Sequence, residues 1–253
     1  MENILTVSGL KKQFRNNRGI SDVSFSIEKG DVFGLLGANG AGKTTTMKII
    51  AGLMRKGGGK ITVFGEPLET SFEKASYHIG SLIETPAFYG YLSAYENLRL
   101  ASRFYTASRF GRDEIETLLK DVKLYDYRND RVGKFSLGMK QRLGLALAMI
   151  GKPDLYILDE PSNGLDIEGI VEIRNIILGM AANRNASFLL SSHQSAEIQK
   201  TCNKVGVIHN GVLKESALVN DILSNFPSVE DYYLYVIGST ERRIPEQEGV
   251  RLQ

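Results

Sequence analysis

Gly37-Ala38-Asn39-Gly40-Ala41-Gly42-Lys43-Thr44 is the stretch on which the fold turns. Two glycines enclose four residues and are followed by a lysine and a hydroxyl, the pattern of a phosphate-binding loop. Glycine lets the backbone turn tightly enough for several N–H groups to point at one phosphate, with the positive end of the following helix behind them. Lys43 is expected to reach the β and γ phosphates of a nucleoside triphosphate, and Thr44 to hold Mg2+. Upstream, residues 32–36 read as a short apolar strand; downstream, 43–53 read as a helix, giving strand, loop and helix in that order.

Further out, Val23, Phe25 and Ile27 alternate with Ser24 and Ser26 before Lys29-Gly30-Asp31, the signature of a half-buried strand running into a turn. Residues 57–59 read as a flexible connection and 60–64 as a short strand. From 86 to 152 the spacing becomes helical, with Ser93 three residues before Glu96 as a capping box and acidic residues opening 113–120. Strand signals resume at 155–158, 187–191, 205–208 and 212–214, the last two joined by the hairpin turn Asn210-Gly211. No internal repeat is visible. Residues beyond about 221 are less legible, and 244–253 read as a polar tail.

The 253 residues, 42% of them hydrophobic, are enough for one large core or two modest ones. Lys and Arg total 31 against 29 Asp and Glu, so a net charge of +2 gives no electrostatic case for a nucleic-acid partner. The single cysteine, Cys202, has no disulfide partner and no companions for a zinc site; it reads as a small buried apolar residue in a reducing, cytoplasmic compartment. The N-terminus lacks the apolar run of a signal peptide, and the apolar run 143–150 is far too short to cross a bilayer. A membrane process would need another chain for its membrane part.

A second chemical element is Leu155-Tyr156-Ile157-Leu158-Asp159-Glu160, an apolar strand ending in two carboxylates. Alone, such a pair is more often a solvated turn. Beside a phosphate loop, one carboxylate is expected to orient Mg2+ and the next to handle the attacking water, so Asp159 is assigned to the metal and Glu160 to general base catalysis or water positioning.

Phe135-Ser136-Leu137-Gly138-Met139-Lys140-Gln141, some twenty residues before Asp159, resembles the signature motif of the ABC ATPases. The resemblance implies that Ser136 and the Gly138 backbone, at the start of a helix, present donors to the γ-phosphate held by a second subunit. Pro161-Ser162-Asn163-Gly164-Leu165-Asp166 resembles the loop that crosses the dimer interface, and His193 matches the switch histidine that contacts γ-phosphate. Phe14 is similar to the aromatic that stacks on adenine. The implied ATP contact thus comprises Phe14, the loop Gly37, Ala38, Asn39, Gly40, Ala41, Gly42, Lys43 and Thr44 with the adjoining Thr45, and Ser136, Gly138 and Asp166. The implied fold is an α/β P-loop NTPase, the nucleotide-binding domain of ABC proteins, with an antiparallel β subdomain and an inserted helical subdomain. Its expected bounds are 1–85 with 153–222 for the α/β core and β edge, 86–152 for the helical part and 223–253 for a C-terminal extension. The implied assembly is a head-to-tail dimer with two ATP molecules between the copies, working with separate permease subunits at the inner face of the cell membrane.

After the strand at 79–83 the family usually carries a glutamine on the Mg2+ side; here the residue is Glu84, in Ile83-Glu84-Thr85-Pro86-Ala87-Phe88-Tyr89. An ionised carboxylate only accepts hydrogen bonds and carries charge, whereas an amide both donates and accepts. This wording resembles the ATPase subunits of lantibiotic-immunity and bacitracin-resistance exporters, and implies expulsion of a peptide antibiotic. Ser228-Val229-Glu230-Asp231-Tyr232-Tyr233 also resembles the C-terminal element of that branch. Two other readings stay open: a general exporter with a different substrate, and a soluble ABC ATPase, although neither a second ATPase domain nor a long coiled coil is present. A kinase or GTPase is disfavoured by 136–141 and by the lack of a guanine-selecting Asn-Lys-x-Asp.

Overall fold

The computed structural model describes residues 2–16, 18–104, 111–184 and 186–239; the tail read at 244–253 lies outside them. Five strands form a parallel sheet: β3 (Val32–Leu36), β6 (Ile79–Leu82), β7 (Leu155–Asp159), β8 (Ser187–Ser192) and β9 (Lys204–His209). Their order is β9-β3-β8-β7-β6, with every neighbouring pair parallel. β10 (Val212–Leu218) folds back on β9 through Asn210 and Gly211, at φ 49° and 76°, the left-handed pair that a tight hairpin turn requires.

β10 also touches β2 (Gly19–Glu28), which carries the sheet over to an antiparallel edge formed with β1 (Asn3–Gln13), β4 (Gly58–Val63) and β5 (Glu66–Pro67). The glycine stretch 57–59 differs from the flexible connection expected there. Gly58 and Gly59 open β4, and Gly57 N–H bonds Lys11 O at 2.7 Å. The register slips between Ser8 and Lys11, and a Cβ on Gly59 (φ +86°) would lie 2.4 Å from Gly9 O. The glycines there permit a bulge at which two backbones close up.

Both faces of the parallel sheet are covered, which is why its strands read as continuous apolar runs. Leu155, Ile157, Phe33, Leu35 and Leu189 face one core cluster with α1 (Lys43–Ile50), α2 (Leu68–Ser76) and the antiparallel strands. Tyr156, Leu158, Phe188 and Leu190 face the other, with α3 (Ala94–Ser102), α4 (Arg112–Asp121), α5 (Leu137–Ala148), α6 (Ile167–Arg184) and α7 (Ser195–Thr201). Each fully buried side chain of this kind stabilises the fold by about 1.5–3 kcal/mol. α3 starts with the expected capping box: Ser93 Oγ accepts from Glu96 N–H at 3.2 Å, and Glu96 Oε2 accepts from Ser93 N–H at 2.8 Å.

The helices between β6 and β7 bury their apolar side chains in the same cluster as the sheet. α8 (Val219–Asn225) and α9 (Val229–Val236) do likewise, with Val229 and Tyr232 buried beyond the boundary expected at residue 222. Ser228 caps α9, and Val229 N–H donates to Gln199 on α7 at 3.0 Å. Cys202 is buried against the α7 face of β3, and burial pushes its thiol pKa well above the ordinary value.

Candidate functional site

The carboxyl ends of β3, β7 and β8 meet the N-terminus of α1. The loop between β3 and α1 needs its glycines for space: a Cβ on Gly37 would lie 2.4 Å from Ile208 O, and one on Gly42 would lie 2.5 Å from Ile20 Cγ2. The loop wraps its own lysine. Lys43 Nζ donates to Gly37 O at 2.7 Å and to Ala38 O at 3.2 Å, and lies 3.3 Å from Glu160 Oε1. With only 5% of its surface exposed, the ammonium is fixed in one direction.

Thr44 and Asp159 come together across the sheet edge: Thr44 Oγ1 donates to Asp159 Oδ2 at 2.7 Å. Ser191 holds the other side of the carboxylate, its hydroxyl donating to Asp159 Oδ1 at 2.5 Å and accepting from Glu160 N–H at 2.8 Å. Ser191 went unnoticed in the sequence. Its only signal is a hydroxyl two residues before His193 at the end of an apolar strand, and it gains meaning once β7 and β8 pair with Asp159 opposite Ser191.

Glu160 leaves β7 in a left-handed conformation, φ 46°, uncommon for a residue with a side chain. Its Oε2 lies 2.6 Å from His193 Nδ1 and its Oε1 faces Lys43. Phe14 lines the same open cleft as Asn39, Gly40, Gly42, Lys43, Thr44, Thr45 and Glu160, and is joined there by Asn16 and Arg18, which sequence reading did not single out.

Ser136, Gly138 and Asp166 do not line that cleft. Ser136 caps α5, accepting from Met139 N–H at 3.2 Å, and Asp166 Oδ1 accepts from Gly169 N–H at 2.8 Å in the first turn of α6. The two loops are neighbours: a Cβ on Gly138 would sit 3.9 Å from Leu165, and one on Gly164 would sit 3.3 Å from Leu137. Beside them Leu137 and Ile167 are exposed to 52% and 81%. Glu84 follows β6 at φ 64° and does not line the cleft; its carboxylate is turned to an ion pair with Lys48 of α1.

A parallel sheet whose first buried strand runs through a glycine loop into α1, with carboxylates at the end of the adjoining edge, is the fold of a phosphate-loop nucleoside triphosphatase. Residues 20–163 match the ABC transporter family. The chain is 40% identical over 215 residues to the bacitracin transport ATP-binding protein BcrA of Bacillus licheniformis, spanning 85% of this chain and 70% of that protein. It is 39% identical over 208 residues to the lantibiotic transport ATP-binding protein SrtF of Streptococcus pyogenes, spanning 82% and 88% respectively. A solved ATP-binding subunit of an ABC transporter superposes with a TM-score of 0.78 at 32% identity, over 92% of this chain and 99% of that one. The chain therefore belongs to the ABC transporter family, as an ATP-binding and ATP-hydrolysing subunit. Among the described residues no helix is long and apolar enough to cross a membrane.

Proposed function

We propose that this ATPase drives the export of a peptide antibiotic, conferring immunity or resistance. The observation that carries the reading is Glu84 in the Ile83-Glu84-x-Pro86-x-Phe88-Tyr89 loop, together with relatives named for bacitracin and lantibiotic transport. Deleting the gene from a cell that carries it should lower the inhibitory concentration of bacitracin or of a lantibiotic, and restoring it should raise that concentration again. Unchanged sensitivity across a panel of such peptides would remove the substrate reading and leave the ATPase.

In the proposed mechanism, backbone N–H groups of residues 37–42 and the Lys43 ammonium bind the phosphates of ATP, Thr45 adds to that contact, and Phe14 stacks on the base. Thr44 and Asp159 offer hard oxygens 2.7 Å apart. Among the described residues no group of three or more His, Cys, Asp and Glu is placed to hold a metal ion by itself. That donor set suits Mg2+, which takes one or two carboxylates and completes its shell with phosphate and water. Thr44 and Asp159 would hold Mg2+ there, and the ion would supply charge neutralisation to the transferring phosphoryl group. Ser191 keeps Asp159 turned toward Thr44. Glu160 accepts a proton from the attacking water, and the His193 Nδ1–H holds Glu160 in place by donating to its Oε2. Phosphate competes with Glu160 for Lys43, so nucleotide binding frees the base for water.

Ser136, Gly138 and Asp166 serve the other copy in a head-to-tail dimer, with the exposed Leu137 and Ile167 beside them supplying apolar surface to the interface. The helical part, 86–152, carries Ser136 and meets separate permease subunits at the inner face of the membrane.

A further inference from the structure

We infer that Lys48 is the positioning residue for Glu84, neutralising its carboxylate beside the phosphate site. The inference rests on reading Glu84 as a metal-side residue. Thr44 and Lys48 are one turn apart on α1, so both project from the same face of that helix. β6 and β7 run in register with Leu82 beside Leu158, which sets Glu84, two residues on, at the same sheet edge as Asp159. The Lys48 ammonium crosses from α1 to pair with Glu84 Oε1 at that edge.

The pairing has little to do with stability. The side chains of Lys48 and Glu84 are 25% and 66% exposed, and an exposed ion pair contributes at most about 1 kcal/mol. Its consequence is local charge. A glutamine at position 84 would need no partner, whereas a glutamate adds a unit negative charge where ATP brings several more. Lys48 cancels that charge and, with the backbone of Glu84 already held at φ 64°, fixes the direction of the carboxylate. Glu84 and Lys48 therefore act as one unit: a carboxylate available to the metal's water shell without repelling the nucleotide.

Equilibrium binding of ATP to the full chain, in EDTA and across a Mg2+ titration, tests this without any turnover. Lys48→Met should weaken ATP binding in EDTA by about two- to fivefold, the effect of a unit charge roughly 4–8 Å away in water-like surroundings. Lys48→Arg should restore it. In a Glu84→Gln background the direct charge effect of Lys48→Met remains, but the further loss from a carboxylate freed to turn toward the phosphates does not, so the loss should be smaller there. An equal loss in both backgrounds overturns the inference, since Lys48 would then act on the phosphates directly or through packing of α1. If Glu84→Gln alone leaves the Mg2+ needed for half-saturation unchanged, the reading of Glu84 as metal-side falls, and the role of Lys48 with it. If Glu84→Gln shifts that Mg2+ requirement while Lys48→Met acts alike in both backgrounds, only the role of Lys48 falls.

Discussion

Ser191 and Asp159 stand opposite each other on paired strands, joined by a 2.5 Å hydrogen bond from hydroxyl to carboxylate, while the same hydroxyl accepts from Glu160 N–H at 2.8 Å. One buried serine thus sets both the carboxylate proposed to serve the metal and the backbone of the residue beside it. Groups that orient metal-site ligands typically account for about 10- to 100-fold in affinity or activity. Ser191→Ala is therefore expected to lower steady-state ATPase by that range. Wild-type turnover at unchanged thermal stability would show that Asp159 needs no such support.

Lys43 should report on binding rather than on chemistry. Its ammonium is directed by two loop carbonyls and by Glu160, and it is the one buried cation in the cleft among the described residues. Hydrogen bonds to charged groups contribute about 1.5–3 kcal/mol, so Lys43→Ala should raise the Kd for ATP by about 10- to 150-fold. Isothermal titration measures this directly, and an unchanged Kd would contradict the phosphate-loop assignment.

Glu84→Ala should reduce ATPase in the complex with the permease more than it reduces ATP binding, since the loop contacts of Lys43 stay intact. Glu84→Gln should be milder, because the amide keeps an oxygen for the metal's water and sheds the charge. Peptide resistance in cells, measured beside ATPase of the reconstituted complex, checks the order. Wild-type values for Glu84→Ala in both would make Glu84 an ordinary surface carboxylate.

Acid should loosen the start of α3. The Ser93 backbone N–H, then the Ser93 hydroxyl, hold the Glu96 carboxyl below its ordinary value of 4.5. A carboxyl whose pKa is lowered on folding adds stability that is fully present above its unfolded value and disappears as pH falls through the folded one. Urea unfolding of wild type and Glu96→Ala should therefore differ at pH 7, with the gap closing below about pH 4.5. A gap independent of pH would mean that Glu96 acts only through packing.

The parts legible in the sequence are those whose chemistry is local. The glycine loop, the Asp159-Glu160 pair, the Ser93 capping box and the Asn210-Gly211 hairpin each announce themselves within a few residues. β1 was missed because its bulges break the period-2 alternation, and because the glycines of 57–59 look like a linker when they in fact make the bulge possible. α8 and α9, seven and eight residues long, are too short to show a helical period, and they form because α7 and β10 offer them a buried face. Ser191 meets Asp159, and Lys48 meets Glu84, only through strand register and helix facing, which no single stretch of sequence displays.

If Glu160, held by Lys43 and His193, is the base for hydrolysis, Glu160→Gln should remove the chemistry and spare binding. Pre-steady-state hydrolysis at saturating ATP and Mg2+ should be slowed by about 10²- to 10⁴-fold, the range for loss of general base catalysis. ATP should still bind, and the chain should elute as a dimer in its presence. Turnover near wild type, or a variant that stays monomeric with ATP bound, would remove Glu160 from that role.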